Sequence, residues 1–366
     1  MKRIICTVTN DLTYDQRMIR ICTSLAKAGY QVRLVGRRRR QSQPLTNKPF
    51  EQKRLFCWFE QGKLFYLEYN IRLWFYLLFA KFDAVCSVDL DTILPGVLVS
   101  KAKGKICIYD AHEYFTETPE VVHRPVVRRV WSWVASIAIP RVDAAYTVGE
   151  GLAKIFTRKY NKPFEVIRNV PFRQTEIARN EKDTNQIILY QGVLNEGRGL
   201  EQAIEAMQFI DDAELWLAGE GDLSERLRQL VYELDVQQKV RFLGYLEPEE
   251  LKKVTLQTTI GLNLLENRGL SYYYSLANKA FDYIQAGLPS IQMNFPEYDA
   301  INRKHEVFIL IDNLDIQNIT SAIIKLLRDR NLYDKIRHNC LIAKEIYIWE
   351  KEEEKLLKIY SGLLKV

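Results

Sequence analysis

A tyrosine-rich segment that runs into a short helix, Ser271–Pro289 (SYYYSLANKAFDYIQAGLP), has the residue types needed to hold a phosphate. Ser275 is a candidate N-cap, Lys279 falls in the first turn, and Gly287 predicts the end of the helix. The start of a helix with a lysine beside it favours an anion. An ordinary amphipathic helix capped by serine would show the same pattern, so this segment alone leaves both interpretations open.

The spacing of the polar residues in this segment predicts a ligand-facing side of the helix. Tyr274, Asn278 and Asp282 are four residues apart and would share one face. The apolar residues between them would then point towards a core. The polar face is therefore a candidate binding surface.

A second segment, residues 186–206, predicts a buried strand, a glycine-rich turn and a helix from about Leu200. The glycines of the turn are Gly192, Gly197 and Gly199. Glycine lets a backbone approach a ligand closely, and Arg198 can bind two phosphate oxygens at once. One such element is common in α/β proteins, but two with basic residues in one half of the chain favour a phosphate site.

Polar residues also follow the first predicted strand. They are Asn10, Asp11, Thr13 and Asp15, with Arg17 on the helix that comes next. Loop residues at the carboxyl ends of parallel strands are well placed to contact a ligand. The alternative is a polar turn in which Asp15 caps the helix.

A histidine between two acids, His112, follows the strand predicted at 105–109. It can donate to a sugar hydroxyl or a phosphate, with a protonation state tuned by the neighbouring carboxylates. Asp89 and Asp91 follow the strand at 83–88, but an aspartate there serves equally well to cap the next helix. We assign neither of these two to the site.

The alternation of apolar strand patterns and helix patterns predicts an α/β fold with parallel sheets covered on both faces. In the first half we expect strands at 3–9, 31–36, 64–69, 83–88, 105–109 and 143–148, and helices near 15–28, 70–81, 91–102 and 124–139. In the second half, after the strand that opens residues 186–206, we expect strands near 213–218, 238–242, 258–264, 288–292 and 306–311. The polar stretch 173–185 lacks periodicity and is the expected linker.

Composition limits the function classes. The chain has 366 residues, enough for two domains of ordinary size, and a net charge of +6 that would suit a phosphorylated substrate or an anionic membrane face. No motif for nucleic-acid binding is present, and we expect no such partner. The six cysteines form no CxxC pair and the four histidines no Cys/His cluster, so we expect buried thiols and no structural zinc.

No targeting segment is evident. The N-terminus runs directly into a predicted strand without the pattern of a signal peptide, so we expect a cytoplasmic protein. The most apolar run, 71–80, is about half of the roughly 20 residues that a spanning helix needs.

The chain resembles the family 4 glycosyltransferases of the GT-B fold over nearly its whole length. The tracts YQGVLNEGRGLE, LWLAGEGD, RFLGYLEPEEL and SLANKAFDYIQAGLPSI resemble the nucleotide-sugar half of that family, in the same order. VTNDLTYDQRMIR and YDAHEYFTETPE resemble the acceptor half of bacterial members. The resemblance implies two Rossmann-like doubly wound domains that face each other across a cleft.

The resemblance also implies the domain boundaries. We expect an acceptor-side domain at 1–172, the linker at 173–185 and a nucleotide-sugar domain at 186–345. We expect residues 346–366 to form a C-terminal helix that crosses back to the first domain. A plain amphipathic helix on the second domain is the alternative.

The family's donor site has two glutamates separated by seven residues, and here Tyr274 and Asp282 stand at the two positions. Aspartate keeps an acceptor for ribose hydroxyls, whereas tyrosine replaces the carboxylate near the sugar. Of the basic pair on the pyrophosphate, Val193 stands in place of the arginine and Arg198 in place of the lysine, and we expect Lys279 to supply the missing charge.

The resemblance implies the remaining site assignments. We expect His112, Arg198 and Lys279 in catalysis. The expected donor-binding residues are Gly192, Asn195, Arg198, Gly244, Tyr245, Leu246, Tyr274, Ser275, Asn278, Lys279 and Asp282. The expected acceptor-side residues are Asn10, Asp11, Thr13 and Arg17.

The implied activity is transfer of a hexose from a nucleotide-diphosphate sugar to a glycan or polyprenyl-linked acceptor in bacterial envelope polysaccharide synthesis. The resemblance implies retention at the anomeric carbon, with no metal and no cofactor other than the donor substrate. A sugar-nucleotide epimerase or hydrolase, and a non-catalytic sugar-nucleotide binding protein, are the alternatives.

Peripheral contact with the inner face of an anionic cytoplasmic membrane is a separate hypothesis. Arg37–Arg40 and the aromatic and basic stretch Arg54–Phe82 have the composition of a lipid-headgroup contact. The alternative is that the aromatic residues pack into the core of the first domain.

Overall fold

The computed structural model describes residues 1–13, 15–178 and 186–364, which divide into two compact α/β units. The first unit comprises Met1–Asn169 together with the chain from Glu352 onwards, and the second comprises Val170–Lys351. The predicted linker at 173–185 therefore lies in part outside the described residues. Its described part, 173–178, belongs to the second unit, where the Ala178 N–H donates to the Ala286 carbonyl at 2.7 Å.

The first unit is built on a seven-stranded parallel sheet of order β3-β2-β1-β4-β5-β6-β7. Its strands are β1 (Arg3–Thr7), β2 (Gln31–Arg38), β3 (Glu51–Phe56), β4 (Ala84–Val88), β5 (Ile106–Ala111), β6 (Ala144–Thr147) and β7 (Glu165–Val166). Its helices are α1 (Gln16–Lys27), α2 (Gly62–Phe79), α3 (Leu90–Lys103), α4 (Pro119–Val122), α5 (Pro125–Ala138) and α6 (Glu150–Tyr160). Every residue of β4 is buried, as expected for a central parallel strand covered on both faces.

The second unit has a six-stranded parallel sheet of order β10-β9-β8-β11-β12-β13. Its strands are β8 (Gln186–Gln191), β9 (Ala213–Ala218), β10 (Val240–Gly244), β11 (Ile260–Asn263), β12 (Ser290–Met293) and β13 (Phe308–Ile311). Its helices are α7 (Leu200–Ala206), α8 (Ser224–Glu233), α9 (Pro248–Leu256), α10 (Leu270–Tyr273), α11 (Asn278–Ala286), α12 (Pro296–His305), α13 (Ile316–Arg328) and α14 (Arg330–Ala343). The predicted strand, glycine turn and helix at 186–206 are confirmed as β8, the turn and α7.

The last helix, α15 (Trp349–Leu364), starts at the end of the second unit and belongs to the first unit from Glu352 onwards. Within the first unit, Glu352 accepts a hydrogen bond from the Arg168 N–H at 3.0 Å. The Tyr360 hydroxyl lies 3.4 Å from the Tyr146 hydroxyl on β6. A C-terminal segment thus completes the core of the N-terminal unit.

The strand predicted at 64–69 is wrong, because these residues lie in α2. An apolar run of this length fits a strand or a helix equally well. The buried residues of α2 decide the outcome, since Phe65, Tyr69, Leu73 and Leu77 are four apart and lie on one helix face. The third strand is instead the polar segment Glu51–Phe56, which pairs with β2. It is an edge strand with little burial and carries no apolar alternation that would have predicted it.

The cysteine prediction is confirmed, since all six cysteines are free and buried. Within the described residues, no helix is long and apolar enough to cross a membrane.

Candidate functional site

Each sheet reverses its strand order at one point, and the candidate site residues follow the strands there. In the second unit the order changes between β8 and β11, and in the first unit between β1 and β4. Ligands of doubly wound sheets bind at the carboxyl ends of the strands at such a point. The two units therefore each offer one candidate site.

The glycine turn after β8 is closely packed against neighbouring loops. Gly192, Gly197 and Gly199 all have positive φ, at 131°, 79° and 65°. A Cβ atom at Gly219, which follows β9, would lie only 1.9 Å from the Gly192 carbonyl oxygen. Side chains are therefore excluded where these two loops meet. Gly192 itself is exposed, and its N–H donates to the Ala218 carbonyl at 2.9 Å.

Two cations lie beside this turn. The Nζ of Lys279 is 3.6 Å from the centroid of the Tyr190 ring, and a Cβ atom built on Gly192 would lie 3.3 Å from the same nitrogen. The guanidinium carbon of Arg198 is 5.3 Å from the centroid of the Tyr272 ring. Among the described residues, Lys279 has no ion-pair partner. A lysine and an arginine on aromatic faces beside a glycine turn can bind a diphosphate.

Burial, helped by the positive charge of Arg198, lowers the pKa of Lys279 well below its usual range. The opposing attraction of the Asp282 carboxylate is smaller. An arriving phosphate would reverse this shift, because a nearby negative charge favours the ammonium form. The site is thus electrostatically prepared for an anion.

The helix that carries Lys279 starts later than predicted. α11 begins at Asn278 after Ala277, which makes no side-chain cap, so the assignment of Ser275 as N-cap is wrong. The Ala277 N–H donates to the Tyr298 hydroxyl at 2.9 Å, and Ala277 is extended, with ψ of 138°. This hydrogen bond holds the chain out of helical conformation before Asn278. The helix does end at Gly287, as predicted, with φ of 66°.

Because α10 ends at Tyr273, Tyr274 does not share a helix with Asn278 and Asp282. The predicted three-residue polar face is therefore reduced to Asn278 and Asp282, one turn apart on α11. Tyr274 lies at the end of α10, with its ring 5.2 Å from that of Tyr273.

The Asp282 carboxylate is held by two successive side-chain hydrogen bonds that the sequence did not indicate. The Gln191 side chain donates to Asp282 at 3.0 Å, and its carbonyl oxygen accepts from the Thr255 hydroxyl at 3.0 Å. Gln191 is buried at the end of β8 and Thr255 is buried on α9. Neither residue has a sequence signal, because each lies more than sixty positions from its partner.

The other donor-side residues lie on the same loops of the second unit. The Asn195 side-chain oxygen accepts from the Asp222 N–H at 3.0 Å and so ties the glycine turn to the loop after β9. Gly244 ends β10 with φ of 68°, and Tyr245 and Leu246 follow it, with Tyr245 exposed. Val193 is exposed in the turn, and its carbonyl accepts from the Tyr190 hydroxyl at 2.9 Å.

In the first unit, a buried ion pair joins α1 to β5. Arg17 Nη2 lies 2.8 Å from Asp110 Oδ1, with both side chains buried, and Arg17 also donates to the Ile167 carbonyl at 2.9 Å. Burial would raise the pKa of Asp110, but Arg17 and His112 outweigh it and lower that pKa. The guanidinium of Arg17 is thus engaged inside the unit, and its contact with an acceptor stays a prediction.

His112 is held between two carboxylates. Its Nε2 lies 3.0 Å from Asp110 Oδ2 and its Nδ1 lies 3.9 Å from Asp89 Oδ2. Burial disfavours the charged ring, but the two carboxylates outweigh burial and raise the pKa of His112 to about 9. The imidazole is therefore a cation at neutral pH, able to donate a proton or to stabilise a negative charge.

Asp89 and Asp91, which the sequence left unassigned, both belong to this cluster. Asp89 does not cap α3 with its side chain and instead accepts from the His112 N–H at 2.9 Å, with its own φ at 52°. Asp91 accepts from the Thr9 hydroxyl at 2.6 Å. Burial and the charge of Asp89 raise the pKa of Asp91 to about 7. The position of these residues after a strand was visible in the sequence, but their partners were not.

The loop after β1 is held by its own polar groups. Asp15 caps α1 by accepting from the Met18 N–H at 3.0 Å, as the alternative interpretation predicted, and also accepts from the Asn10 side chain at 2.5 Å. Arg54 donates to the Asp11 carbonyl at 2.6 Å and to the Thr13 hydroxyl at 2.8 Å. A cavity of about 430 Å³ opens beside Asn10 and Asp11.

Family models match both halves of the chain. The model described as glycosyltransferase family 4 matches residues 16–170, and the model described as glycosyl transferases group 1 matches residues 172–340. A relative, the uncharacterised glycosyltransferase MJ1607 of Methanocaldococcus jannaschii, is 28% identical over 187 residues. That match spans 49% of this chain and 46% of the relative, so the chain matches about half the length of this relative.

Solved structures share the fold over almost the full chain. Sucrose-phosphate synthase from Thermosynechococcus elongatus superposes with a TM-score of 0.80 at 16% identity, with both chains fully covered. HepE of Anabaena in complex with UDP and glucose gives 0.76 at 12% identity, covering 99% of this chain and all of HepE. WaaG, a glycosyltransferase involved in lipopolysaccharide biosynthesis, gives 0.75 at 14% identity, covering 98% of this chain and all of WaaG.

Proposed function

The chain belongs to the family 4 glycosyltransferases of the GT-B fold, and from this premise we propose that it transfers a sugar from a nucleoside diphosphate sugar to a glycan or lipid-linked acceptor. The observation that carries the proposal is the placement of Arg198 and Lys279 beside the glycine turn at the switch point of the second sheet. Cleavage of the donor leaves negative charge on the diphosphate. Cations fixed beside the glycine turn would stabilise that charge as it develops.

The nucleotide would lie along the loops of the second unit. Asp282, held by Gln191 at 3.0 Å, is the proposed acceptor for the ribose hydroxyls. Gly244, Tyr245 and Leu246 are proposed to border the base. HepE was solved with UDP and glucose, which supports a nucleoside diphosphate as the ligand class.

The leaving diphosphate itself is the proposed catalytic base. We propose that the sugar is transferred with retention at the anomeric carbon, without a metal, and that the leaving phosphate accepts the proton of the attacking hydroxyl. This mechanism is the one that the resemblance to the family implies. His112, charged by its two carboxylates, is proposed to contact the donor sugar during transfer.

The proposed acceptor is a glycan or a polyprenyl-linked glycan of a bacterial envelope, and the proposed site of action is the inner face of the cytoplasmic membrane. The similarity to WaaG, which is involved in lipopolysaccharide biosynthesis, supports this class of acceptor. We propose the hexosyl type of transfer because the similar HepE was solved with UDP and glucose.

Donor turnover with and without an acceptor tests this function. Purified protein is incubated with UDP-, GDP-, ADP- and dTDP-hexoses, alone and with lipid extracts or oligosaccharides, and the products are separated by mass. Transfer to an added acceptor supports the proposal. Epimerised or hydrolysed donor without any acceptor would replace it with an epimerase or hydrolase.

Binding of a donor that is returned unchanged under every condition would indicate a non-catalytic member. The replacement of the first carboxylate by Tyr274 is the observation that favours this second candidate. A Tyr274→Glu variant distinguishes a transferase from a non-catalytic binding protein. If Tyr274 alone prevents turnover, this substitution should restore it.

A further inference from the structure

Two arginines at the end of β2 line one polar cavity of the first unit. Arg37 and Arg39 border this cavity of about 300 Å³, here called the arginine cavity, together with residues of the loop after β1. Successive residues of an extended chain point to opposite sides, and Arg38, which stands between them, does not line the cavity. The arginine run of the sequence therefore places two of its charges at one site.

The Arg37 guanidinium is fixed in position but is not paired with an acid. Its Nη1 donates to the Glu60 carbonyl at 2.7 Å, and its carbon lies 4.0 Å from the centroid of the Phe65 ring. Among the described residues, its buried Nε has no hydrogen-bond partner, and neither Arg37 nor Arg39 has an ion-pair partner. Burial and the positive charge of Arg39 lower the pKa of Arg37. An anion bound beside both arginines would relieve this repulsion.

The carboxylates around the arginine cavity are occupied by other donors. Glu60, Asp11 and Asp15 each accept a hydrogen bond from a backbone N–H of the first unit, at 2.8, 3.1 and 3.0 Å. A further arginine, Arg54, joins the loops after β1 and β2 and donates to two carbonyls and a hydroxyl. The acids therefore leave the charges of the two cavity arginines uncompensated.

The arginine cavity lies next to the cluster that holds His112. Thr9 and Asn10 line the cavity, and the Thr9 hydroxyl donates to the Asp91 carboxylate at 2.6 Å. The neighbouring cavity of about 430 Å³ is also lined by Asn10. Volumes of this order are those of small-molecule sites. A small polar ligand held by the arginines would thus lie at the point where the strand order of the first sheet reverses.

We propose that Arg37 and Arg39 bind an oxyanion, a phosphate or a carboxylate, that is part of the acceptor. The inference rests on the proposed function and deepens it, because it names the acceptor as an acidic or phosphorylated sugar rather than a neutral glycan. Guanidinium groups match the geometry of both oxyanions. The site belongs to the first unit and is separate from the nucleotide loops of the second.

Protection of arginines from chemical modification tests the proposal on the full chain. The rate at which phenylglyoxal modifies each arginine is followed by peptide mapping, with glucose 6-phosphate, glucuronate or glucose present. We expect the two anionic sugars to slow modification of Arg37 and Arg39, and glucose to have no effect. Arg38, which is exposed beside the cavity, should react at the same rate throughout.

A pair of matched variants assigns the binding to the cavity. Arg39→Gln removes one exposed charge and should raise the concentration of the anionic sugar that half-protects Arg37 about ten-fold, because a charge-assisted hydrogen bond is lost. Arg38→Gln makes the same change of charge one residue away and should leave that concentration unchanged. Both positions are exposed, so both variants should fold.

Equal modification of Arg37 and Arg39 with the anionic and the neutral sugars overturns the proposal, and so does an equal effect of Arg39→Gln and Arg38→Gln. Nucleoside diphosphates are tested in the same assay and should protect Arg198 instead. Protection of Arg39 by a nucleotide alone would assign the cavity to the donor and overturn the inference. If anionic sugars protect Arg39 but no nucleotide protects Arg198, the proposed function fails and the anion site remains.

Discussion

The ammonium group of Lys279 lies 3.6 Å above the ring of Tyr190, at the edge of the glycine turn that opens the second unit's candidate site. The aromatic face partly replaces water around the charge, but burial still lowers the pKa of Lys279 well below its usual range. A diphosphate bound beside Lys279 would therefore favour its charged form and raise its pKa again.

This relationship predicts that nucleoside diphosphate binding takes up a proton. The phosphate raises the pKa of Lys279. At a pH between the pKa of the free protein and the pKa of the complex, the lysine is neutral in the free protein and charged in the complex. Affinity should then fall as the pH rises through the free-state pKa. Calorimetric titration in buffers of different ionisation enthalpy measures the uptake.

A Lys279→Arg variant is the matched control, because arginine stays charged in both states. It should bind without linked proton uptake. An unchanged number of protons in this variant would assign the linkage to another group.

Arg198→Ala should weaken nucleoside diphosphate binding about 10- to 150-fold, since a charge-assisted hydrogen bond contributes about 1.5–3 kcal/mol. The loss should be smaller for a nucleoside monophosphate, which lacks the distal phosphate. Arg303→Ala, at an exposed ion pair on α12, is the control and should bind normally. Equal losses for mono- and diphosphate would contradict a diphosphate role for Arg198.

His112→Ala should leave nucleotide affinity unchanged and reduce turnover. With the pKa of His112 raised to about 9, the ring is protonated below that pH, so wild-type turnover should hold through neutral pH and decline as the pH passes about 9. Initial rates against pH at saturating donor measure this. If turnover instead rises as the pH passes about 9, the neutral imidazole of His112 would be the active form, which contradicts this prediction.

Arg17→Met should lower the free energy of unfolding by up to about 3–5 kcal/mol, because it removes one of the two cations beside the buried carboxylate of Asp110 and leaves only His112. Asp110 has a lowered pKa in the folded chain, so its pairing stabilises the fold above its ordinary pKa and is lost as the pH falls through the lowered value. The destabilisation should therefore shrink in acid, as urea titrations at several pH values would show. Arg17→Met with Asp110→Asn should recover part of the loss at neutral pH, and no recovery would argue against an unpaired charge as the cause.

Gly219→Ala should destabilise the second unit by about 1–3 kcal/mol and weaken nucleotide binding, since the added Cβ would overlap the Gly192 carbonyl. Gly362→Ala on α15, where a Cβ meets nothing within 4 Å, should instead stabilise slightly. Thermal unfolding of both variants measures the contrast. A Gly219→Ala protein as stable as the wild type would show that the two loops can separate.

The sequence predicted both sheets and the strand, glycine turn and helix around Arg198, because buried parallel strands and glycines leave strong local patterns. It missed the two edge strands of the first sheet, Glu51–Phe56, which has no apolar pattern, and the two-residue Glu165–Val166, and it placed a strand inside α2. Ser275 failed as a cap because the Tyr298 hydroxyl, far along the chain, takes the backbone N–H of Ala277.

The partners of the site residues were beyond the sequence. Asp89 and His112 meet because they follow the neighbouring parallel strands β4 and β5, whereas Gln191 meets Asp282 because α11 packs beside the end of β8. Local pattern carries no information on which of several strand-end residues face each other.

A thermal-shift screen against UDP, GDP, ADP, CMP and dTDP tests the central claim most directly, because a ligand that binds only the folded state raises the midpoint by mass action. We predict a shift with a nucleoside diphosphate that is smaller in Arg198→Ala at the same nucleotide concentration. No shift with any nucleotide, or a shift of unchanged size in both Arg198→Ala and Lys279→Ala, would contradict this proposal.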